Sequence, residues 1–170
     1  PWTAFGPHAG IAAPLRGEKA TTWEGGQRVP AIFCWPGTIR PGVIDGMAAN
    51  LDLYATFASL IGGDEPTGKP GYISLDLSPV LLEGDKSPRE SWAYHQNAFR
   101  SGRYKIHTRT VQPTDPIARR GRPATNHDPP LLFDLETDLS EQNNIAEKHP
   151  EIVERLLKEM RSFNATRAAN

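Results

Sequence analysis

Several features that would assign a sequence to a familiar class are scarce in this chain of 170 residues. It has a single cysteine, Cys34, which excludes an internal disulfide and a four-cysteine zinc site. Its net charge is −1, so it lacks the positive charge with which proteins bind nucleic acid or anionic membranes. No apolar run approaches the roughly 18–20 residues of a membrane-spanning helix. We therefore expect no nucleic-acid partner and no membrane span.

Proline and glycine, by contrast, are abundant, with sixteen prolines and fifteen glycines. Both residues interrupt regular structure, so we expect many turns and irregular connections. The length is sufficient to bury a hydrophobic core and indicates one domain or two small ones.

The most informative stretch is residues 14–30, PLRGEKATTWEGGQRVP. Gly17 and the pair Gly25-Gly26 allow the backbone to turn sharply and to approach a bound group closely. Lys19 lies between them and carries a compact positive charge on a flexible stem, which suits an anionic ligand. The pattern indicates a loop that presents Lys19 to a negative group, although an average lysine in such a loop is simply solvated.

Periodicity predicts the first half of the secondary structure. The apolar run 29–35 has the pattern of a buried strand in a mostly parallel sheet, with Cys34 as a small core residue. From residue 50, apolar residues at helical spacing predict a helix that stops at Gly62-Gly63. Its apolar face consists of Leu51, Tyr54, Ala55, Ala58, Leu60 and Ile61. Residues 64–72 read as a loop, and 77–82 as a short helix ended by Gly84.

The second half has antiparallel character. Residues 91–95, 104–108 and 131–135 are strand-like, with a turn at 100–102 between the first two. The proline-rich, polar stretch 112–130 is predicted to be a long excursion rather than core. Pro150 opens an amphipathic helix. Its apolar stripe consists of Ile152, Val153, Leu156, Leu157, Met160 and Phe163.

These motifs and their order resemble the formylglycine-dependent sulfatases of the arylsulfatase type, within the alkaline-phosphatase-like superfamily. The loop 14–31 resembles the lysine loop of that family, 100–105 one of its strands, and 132–146 its closing segment. The resemblance covers nearly the whole chain. It implies an α/β fold in which residues 1–75 form the end of the large sulfatase domain. Residues 76–170 would then form a C-terminal subdomain, an antiparallel sheet packed by the closing helix.

The resemblance also implies a chemistry, the hydrolysis of sulfate esters by a formylglycine nucleophile beside a calcium ion. Lys19 corresponds to the lysine that contacts the substrate sulfate and is the candidate catalytic residue. His8 and His107 are candidate substrate-binding residues. The alternatives are a structural loop histidine for His8 and a surface strand histidine for His107.

Other residues of the loop are expected to be structural. Thr21, Thr22 and Glu24 are expected to fix the loop by hydrogen bonds, and Arg28 to be a buried ion-pair partner.

Measured against this chemistry, the sequence is incomplete. The segment beginning at Cys34 matches the first three positions of Cys/Ser-x-Pro-x-Arg but has Thr38 in place of the arginine. No cluster resembles the calcium ligands of the family, so we predict no metal site in this chain. Formylglycine and calcium are expected in the full-length enzyme, which the resemblance places outside the cell, in the periplasm or in lysosomes. This chain alone is expected to be inactive without the N-terminal part of the same protein.

Two other functions stay open at this stage. The first is a phosphate- or phosphonate-ester hydrolase of the same superfamily, which the residue at the nucleophile position would distinguish. The second is a non-catalytic structural or interaction module, for which gel filtration would separate a monomer from a self-associating chain.

Overall fold

The computed structural model describes residues 10–63, 74–111 and 124–168. Its helices are α1 (Glu24–Gln27), α2 (Asp52–Leu60), α3 (Ser78–Leu82) and α4 (Pro150–Ala168), with a short 3-10 helix at Ala146–Lys148. Its strands are β1 (Ser91–Tyr94), β2 (Ala98–Ser101), β3 (Tyr104–Val111) and β4 (Ala124–Asp134). The chain divides into two compact units, one of Pro1–Val29 with Trp92–Ser162 and one of Pro30–Ser91 with Phe163–Asn170.

The first unit is built on a four-stranded sheet in the order β1-β2-β3-β4. β2 pairs antiparallel with β3, and β3 pairs antiparallel with β4. The predicted antiparallel sheet and closing helix are thus confirmed. The predicted turn at 100–102 is wrong in its first two residues, because Arg100 pairs with Lys105 and Ser101 with Tyr104 at the end of β2. The reversal begins at Gly102, whose φ of 56° suits glycine.

β4 begins earlier than the sequence predicts, so the expectation of an excursion as far as residue 130 is wrong for residues 124–130. Ala124 pairs with Val111 and Asn126 with Arg109, which extends the hairpin beyond the apolar part of the strands. The register then shifts between His107 and Arg109. Residues 127–130 lie in this irregularity, where proline is tolerated because a ladder hydrogen bond is already interrupted. Residues 112–123 lie outside the described residues.

α4 begins at Pro150, as predicted, and buries its central residues. Leu156 is 0% exposed and Met160 is 6% exposed, while the other members of the stripe are half-buried. A second part of the core contains Trp23, Phe133 and Leu135, with Leu131 packed against them. Because Trp23 belongs to the loop 14–30 and Phe133 to β4, this packing fixes the loop to the sheet.

In the second unit, α2 and α3 occur where the sequence predicts them, but the buried face of α2 differs. Tyr54 and Ile61 are 68% and 83% exposed, so their prediction as core residues is wrong. Of the predicted residues Ala55 is buried, and it shares the buried face with Asp52 and Thr56. The Asp52 carboxylate binds the guanidinium of Arg89 through both oxygens, which compensates for its desolvation.

The predicted buried strand at residues 29–35 is also wrong. This run forms no strand in the described structure, Ile32 is 92% exposed, and Cys34 is exposed rather than a core residue. A strand requires a neighbour for its backbone hydrogen bonds, and no described segment pairs with this run. Among the described residues, no helix is long and apolar enough to cross a bilayer.

Candidate functional site

Lys19 lies at the tip of a tight turn in the first unit. The Thr21 N–H donates to the Glu18 carbonyl at 3.0 Å, and the Thr21 hydroxyl donates to the same carbonyl at 2.8 Å. Ala20 takes a left-handed conformation with φ 71°, which reverses the chain between them. Lys19 is exposed, whereas Glu18 and Thr21 are buried. The turn therefore holds its flanks in the protein and directs its tip to solvent.

The three glycines of the loop are required by close backbone packing. A Cβ on Gly17, whose φ is 78°, would lie 2.6 Å from the Thr21 hydroxyl oxygen. A Cβ on Gly25 would lie 2.7 Å from the carbonyl oxygen of Gly17, and one on Gly26 would lie 2.5 Å from that of Glu18. The loop is folded back on itself so tightly that a side chain would collide with its backbone at Gly25 and Gly26, and with the Thr21 and Trp23 side chains at Gly17.

Beneath the loop lies a group of fully buried ionisable side chains that we call the buried charge cluster: Glu24, Lys105, His107 and Glu141. The Lys105 ammonium is 2.8 Å from Glu24 Oε1 and 2.9 Å from Glu141 Oε1. It also lies 4.0 Å from the centroid of the Tyr94 ring, a cation–π contact. A single cation on β3 thus joins a carboxylate of the loop to a carboxylate that follows β4.

Glu141 holds the loop through both its side chain and its backbone. Its Oε2 accepts the backbone N–H of Glu24 at 2.7 Å, at the start of α1. Its carbonyl accepts from Arg16 Nη1 at 2.6 Å, and the Arg16 guanidinium stacks 3.8 Å from the Trp23 ring centroid. Both ends of the segment that contains Lys19 are therefore tied to one residue.

The charges of the cluster follow from its contacts. Burial by itself would raise the pKa of Glu24, but the adjacent Lys105, helped by Arg28 and by a hydrogen bond from Tyr94, lowers it to about 2. Burial likewise opposes ionisation of Glu141, yet its hydrogen bond with His107 and the charge of Lys105 lower its pKa. Both carboxylates are therefore ionised at neutral pH.

His107 is neutral because of its burial. Desolvation lowers its pKa from 6.5 to about 4, against the raising effect of Glu141. Its Nε2 is 2.8 Å from Glu141 Oε1, and its Nδ1 is 3.3 Å from the Thr22 hydroxyl. Since an ionised carboxylate only accepts hydrogen bonds, Nε2 carries the proton and Nδ1 accepts from Thr22. His107 thereby connects the loop to Glu141 by a second route.

The structure places the predicted site residues in different environments. Lys19 is exposed, as a ligand-binding residue must be. His107 is fully buried between Thr22 and Glu141, so it is neither on the surface nor open to a ligand in this conformation. Its assignment to substrate binding stays a prediction. His8 lies outside the described residues.

The residues predicted to fix the loop do so. Thr21 and Thr22 make the hydrogen bonds described above, and Glu24 is a member of the buried charge cluster. Arg28 pairs with Glu24 at 2.5 Å, but its side chain is 39% exposed, so the prediction of a buried arginine is wrong. A second arginine, Arg100, approaches the same carboxylate at 3.7 Å.

Two members of the buried charge cluster, Lys105 and Glu141, were not among the predicted site residues. Alternation along the strand puts Lys105 on the same face as His107, which was the available signal. The contacts of Glu141 with residues 24 and 107 are visible only in the folded chain.

Neither cofactor implied by the resemblance fits the described residues. No group of three or more His, Cys, Asp or Glu side chains within them is arranged to hold a metal ion. The buried carboxylates of Glu24 and Glu141 both contact the Lys105 ammonium, which fills the position that a metal ion would need. Cys34 is followed by Thr38 where a formylglycine precursor needs arginine. We therefore assign neither group to these residues.

Comparison with known proteins supports one family. Residues 87–169 match the family model described as the C-terminal region of aryl-sulfatase. The chain is 37% identical to arylsulfatase A of Bos taurus, over 95% of this chain and 34% of that protein. It is 32% identical to steryl-sulfatase of Rattus norvegicus, over 94% of this chain and 32% of that protein.

Solved structures agree with the sequence comparison. The crystal structure of the PsFucS1 sulfatase from Pseudoalteromonas sp. superposes with a TM-score of 0.72 and 28% identity, covering 90% of this chain and 32% of that one. The chain thus spans about a third of the length of the relatives it matches. Its sheet, closing helix and lysine-bearing loop occur in the expected order, and the chain belongs to the sulfatases, carrying the C-terminal region of their fold.

Proposed function

We propose that this chain is the C-terminal part of a sulfatase that hydrolyses sulfate esters and that Lys19 contacts the substrate sulfate. The relatives named above are arylsulfatases and steryl-sulfatases of about three times the matched length, which supports a sulfate ester as the substrate. The single observation that supports the role of Lys19 is its exposure at the tip of a turn whose two ends, Glu18 and Thr21, are buried.

Lys19 would act electrostatically. Transfer of a sulfuryl group develops negative charge on the non-bridging and leaving oxygens, and a preorganised cation stabilises that charge in place of water. An ammonium held on an anchored turn is already oriented, so little reorganisation is needed when the substrate binds. His8 is proposed as a second substrate contact.

The role that we propose for His107 is indirect and involves no contact between its ring and the substrate. A substrate could reach its ring only if Thr22 or Glu141 moved, because both ring nitrogens are already hydrogen-bonded. We therefore propose that His107 acts on the substrate through the loop.

The nucleophile and the calcium ion are proposed to come from the rest of the protein. The exposed apolar side chains in residues 29–35, Ile32 at 92% and Val29 at 67%, support a further segment that covers them. In this proposal residues 1–75 complete the large domain, residues 76–170 form the C-terminal subdomain, and the chain alone is inactive.

The test begins with the reading frame immediately upstream of Pro1. A Cys/Ser-x-Pro-x-Arg motif further back in that frame supports the proposal, and its absence from the whole frame contradicts it. The full-length protein and this chain are then assayed with an aryl sulfate, and with aryl phosphate and phosphonate esters in parallel. We expect sulfate hydrolysis by the full-length protein only.

The role of Lys19 is tested in the same assay with a matched pair of variants. Lys19→Ala should lower kcat/KM by about 100- to 1000-fold, the effect of removing one stabilising group from a transition state. Lys158→Met, which removes a charge from an exposed position of α4, should leave activity unchanged. Metal-dependent turnover by this chain alone, or full activity of Lys19→Ala, would refute the corresponding part of the proposal.

A further inference from the structure

The buried charge cluster invites a functional question because nothing in the proposed reaction uses it directly. All four of its side chains are 0% exposed, and they come from three separate parts of the chain. Glu24 lies in the loop, five residues after Lys19. Lys105 and His107 lie on β3, and Glu141 follows β4. Its members therefore join the lysine-bearing loop to the sheet.

We propose that Lys105 and Glu141 are positioning residues for Lys19, so that the buried charge cluster sets where the exposed ammonium lies. This inference rests on the proposed function of Lys19. Neither residue is exposed, so neither can touch the substrate itself; their effect passes through Glu24, Thr22 and the backbone of the loop.

The first step of this argument is the geometry of the anchor. The Lys105 ammonium is shared between Glu24 at 2.8 Å and Glu141 at 2.9 Å, and the Glu141 carboxylate also accepts the Glu24 N–H at 2.7 Å. These three contacts form a closed ring. A shift of the loop by even an ångström would break at least one of them in a place that water does not reach.

The second step is the short path from this ring to Lys19. α1 starts at Glu24, and the residues just before it, Thr21–Trp23, are all buried. The Thr21 backbone and hydroxyl both bond to Glu18 across the turn, and Gln27 Nε2 donates to the Thr21 carbonyl at 2.8 Å. No flexible link lies between the anchored Glu24 and the turn that carries Lys19, so displacement of one moves the other.

The third step is energetic. A buried charge that loses a partner is costly, and if the loop left the sheet Lys105 would lose one of its two carboxylates and Glu141 would lose the Glu24 N–H. Removing the Lys105 charge would leave Glu24 and Glu141 facing each other without the cation between them. We expect the loop to relax away from β3 in response.

The test is a double-variant cycle in the full-length protein, with kcat/KM for an aryl sulfate as the readout. Lys105→Met should lower kcat/KM by about 10- to 100-fold when Lys19 is present, the scale of a misplaced catalytic group. In the Lys19→Ala background the same change should cost less than about threefold, because the group it positions is gone. Lys158→Met should have no effect in either background.

Two outcomes would overturn the proposal. An equal loss from Lys105→Met in both backgrounds would mean that it acts through general folding or through another residue. No loss with Lys19 present would mean that the loop does not need the anchor. If Lys105→Met is insoluble, Glu141→Gln decides in the same cycle, since it keeps the side-chain volume and an acceptor for the Glu24 N–H while removing the charge.

Hydrogen exchange distinguishes failure of this inference from failure of the proposed function. If the wild-type protein hydrolyses no sulfate ester, the proposed function fails, but exchange of the amides of residues 22–28 still reports the anchor. We expect that exchange to be about tenfold faster in Lys105→Met than in Lys158→Met. Equal exchange in the two variants would overturn the anchoring itself.

Discussion

Lowering the pH perturbs the buried charge cluster without changing any residue, because His107 and Glu24 bind protons differently in the folded and unfolded chain. Burial lowers the pKa of His107 from 6.5 to about 4. Between these values the unfolded chain is protonated at this residue and the folded chain is not, so acidification favours unfolding. The span of about 2.5 pH units corresponds to about 3 kcal/mol of stability, present above pH 6.5 and lost by pH 4.

Glu24 adds a second step at lower pH. Although burial alone would raise its pKa, Lys105 and Arg28 lower it from 4.5 to about 2. The unfolded chain therefore takes up this proton first, and stability falls as the pH drops from 4.5 towards 2. The loss of stability is again about 3 kcal/mol, and both protonation steps lower stability as the pH falls.

Urea unfolding followed by tryptophan fluorescence would measure these steps, since Trp23 is buried with its ring centroid 4.6 Å from that of His107. We expect His107→Gln to remove most of the loss between pH 6.5 and 4.5, whereas His149→Gln should keep it. His149 is a suitable control because its side chain is 41% exposed. An unchanged pH dependence in His107→Gln would refute the assignment of this step to the buried histidine.

Two further substitutions test the packing. Gly26→Ala places a Cβ 2.5 Å from the Glu18 carbonyl oxygen, so we expect a loss of about 1–3 kcal/mol in urea unfolding. Gly42→Ala, where the Cβ meets nothing within 4 Å, should be nearly neutral; equal effects would contradict the clash. Arg89→Met leaves the Asp52 carboxylate buried without its guanidinium and should cost about 3–5 kcal/mol. A loss below about 1 kcal/mol would show that Asp52 does not depend on the pair.

The parts of the fold that the sequence predicts well are those whose signals are local. Pro150 marks the start of α4 and Gly84 follows the end of α3, because proline suits a first helical turn and glycine a chain reversal. The strands at 91–94 and 104–111 follow from β-branched and aromatic residues between turn residues. The sequence does not predict β2 because its four residues contain no such pattern, and only its pairing with β1 and β3 defines it.

The wrong predictions share a different cause. They concern residues whose environment depends on partners far away in the sequence. The apolar run 29–35 has the composition of a buried strand, but burial requires a neighbouring strand that the described residues do not supply. Conversely, a lysine is rarely fully buried unless it is paired. Lys105 is fully buried, and the partner that permits this, Glu24, lies 81 positions away in the sequence. The sequence indicates which environment a side chain prefers, whereas the fold determines which residues it contacts.

The exposed and buried parts of the candidate site differ in what the sequence can predict about them. Glycines on either side of Lys19 indicate a sharp loop around an exposed cation, and the resemblance to sulfatases implies a sulfate ligand for it, which stays a prediction. The sequence contains no comparable signal for the buried charge cluster that supports the loop. The two carboxylates and the lysine beneath the loop are costly to desolvate, and apolar residues of similar volume often give equal or greater stability. Apolar contacts, however, are non-directional and would allow the loop several positions. We therefore infer that the buried charge cluster contributes to the fixed position of Lys19 more than to the stability of the chain.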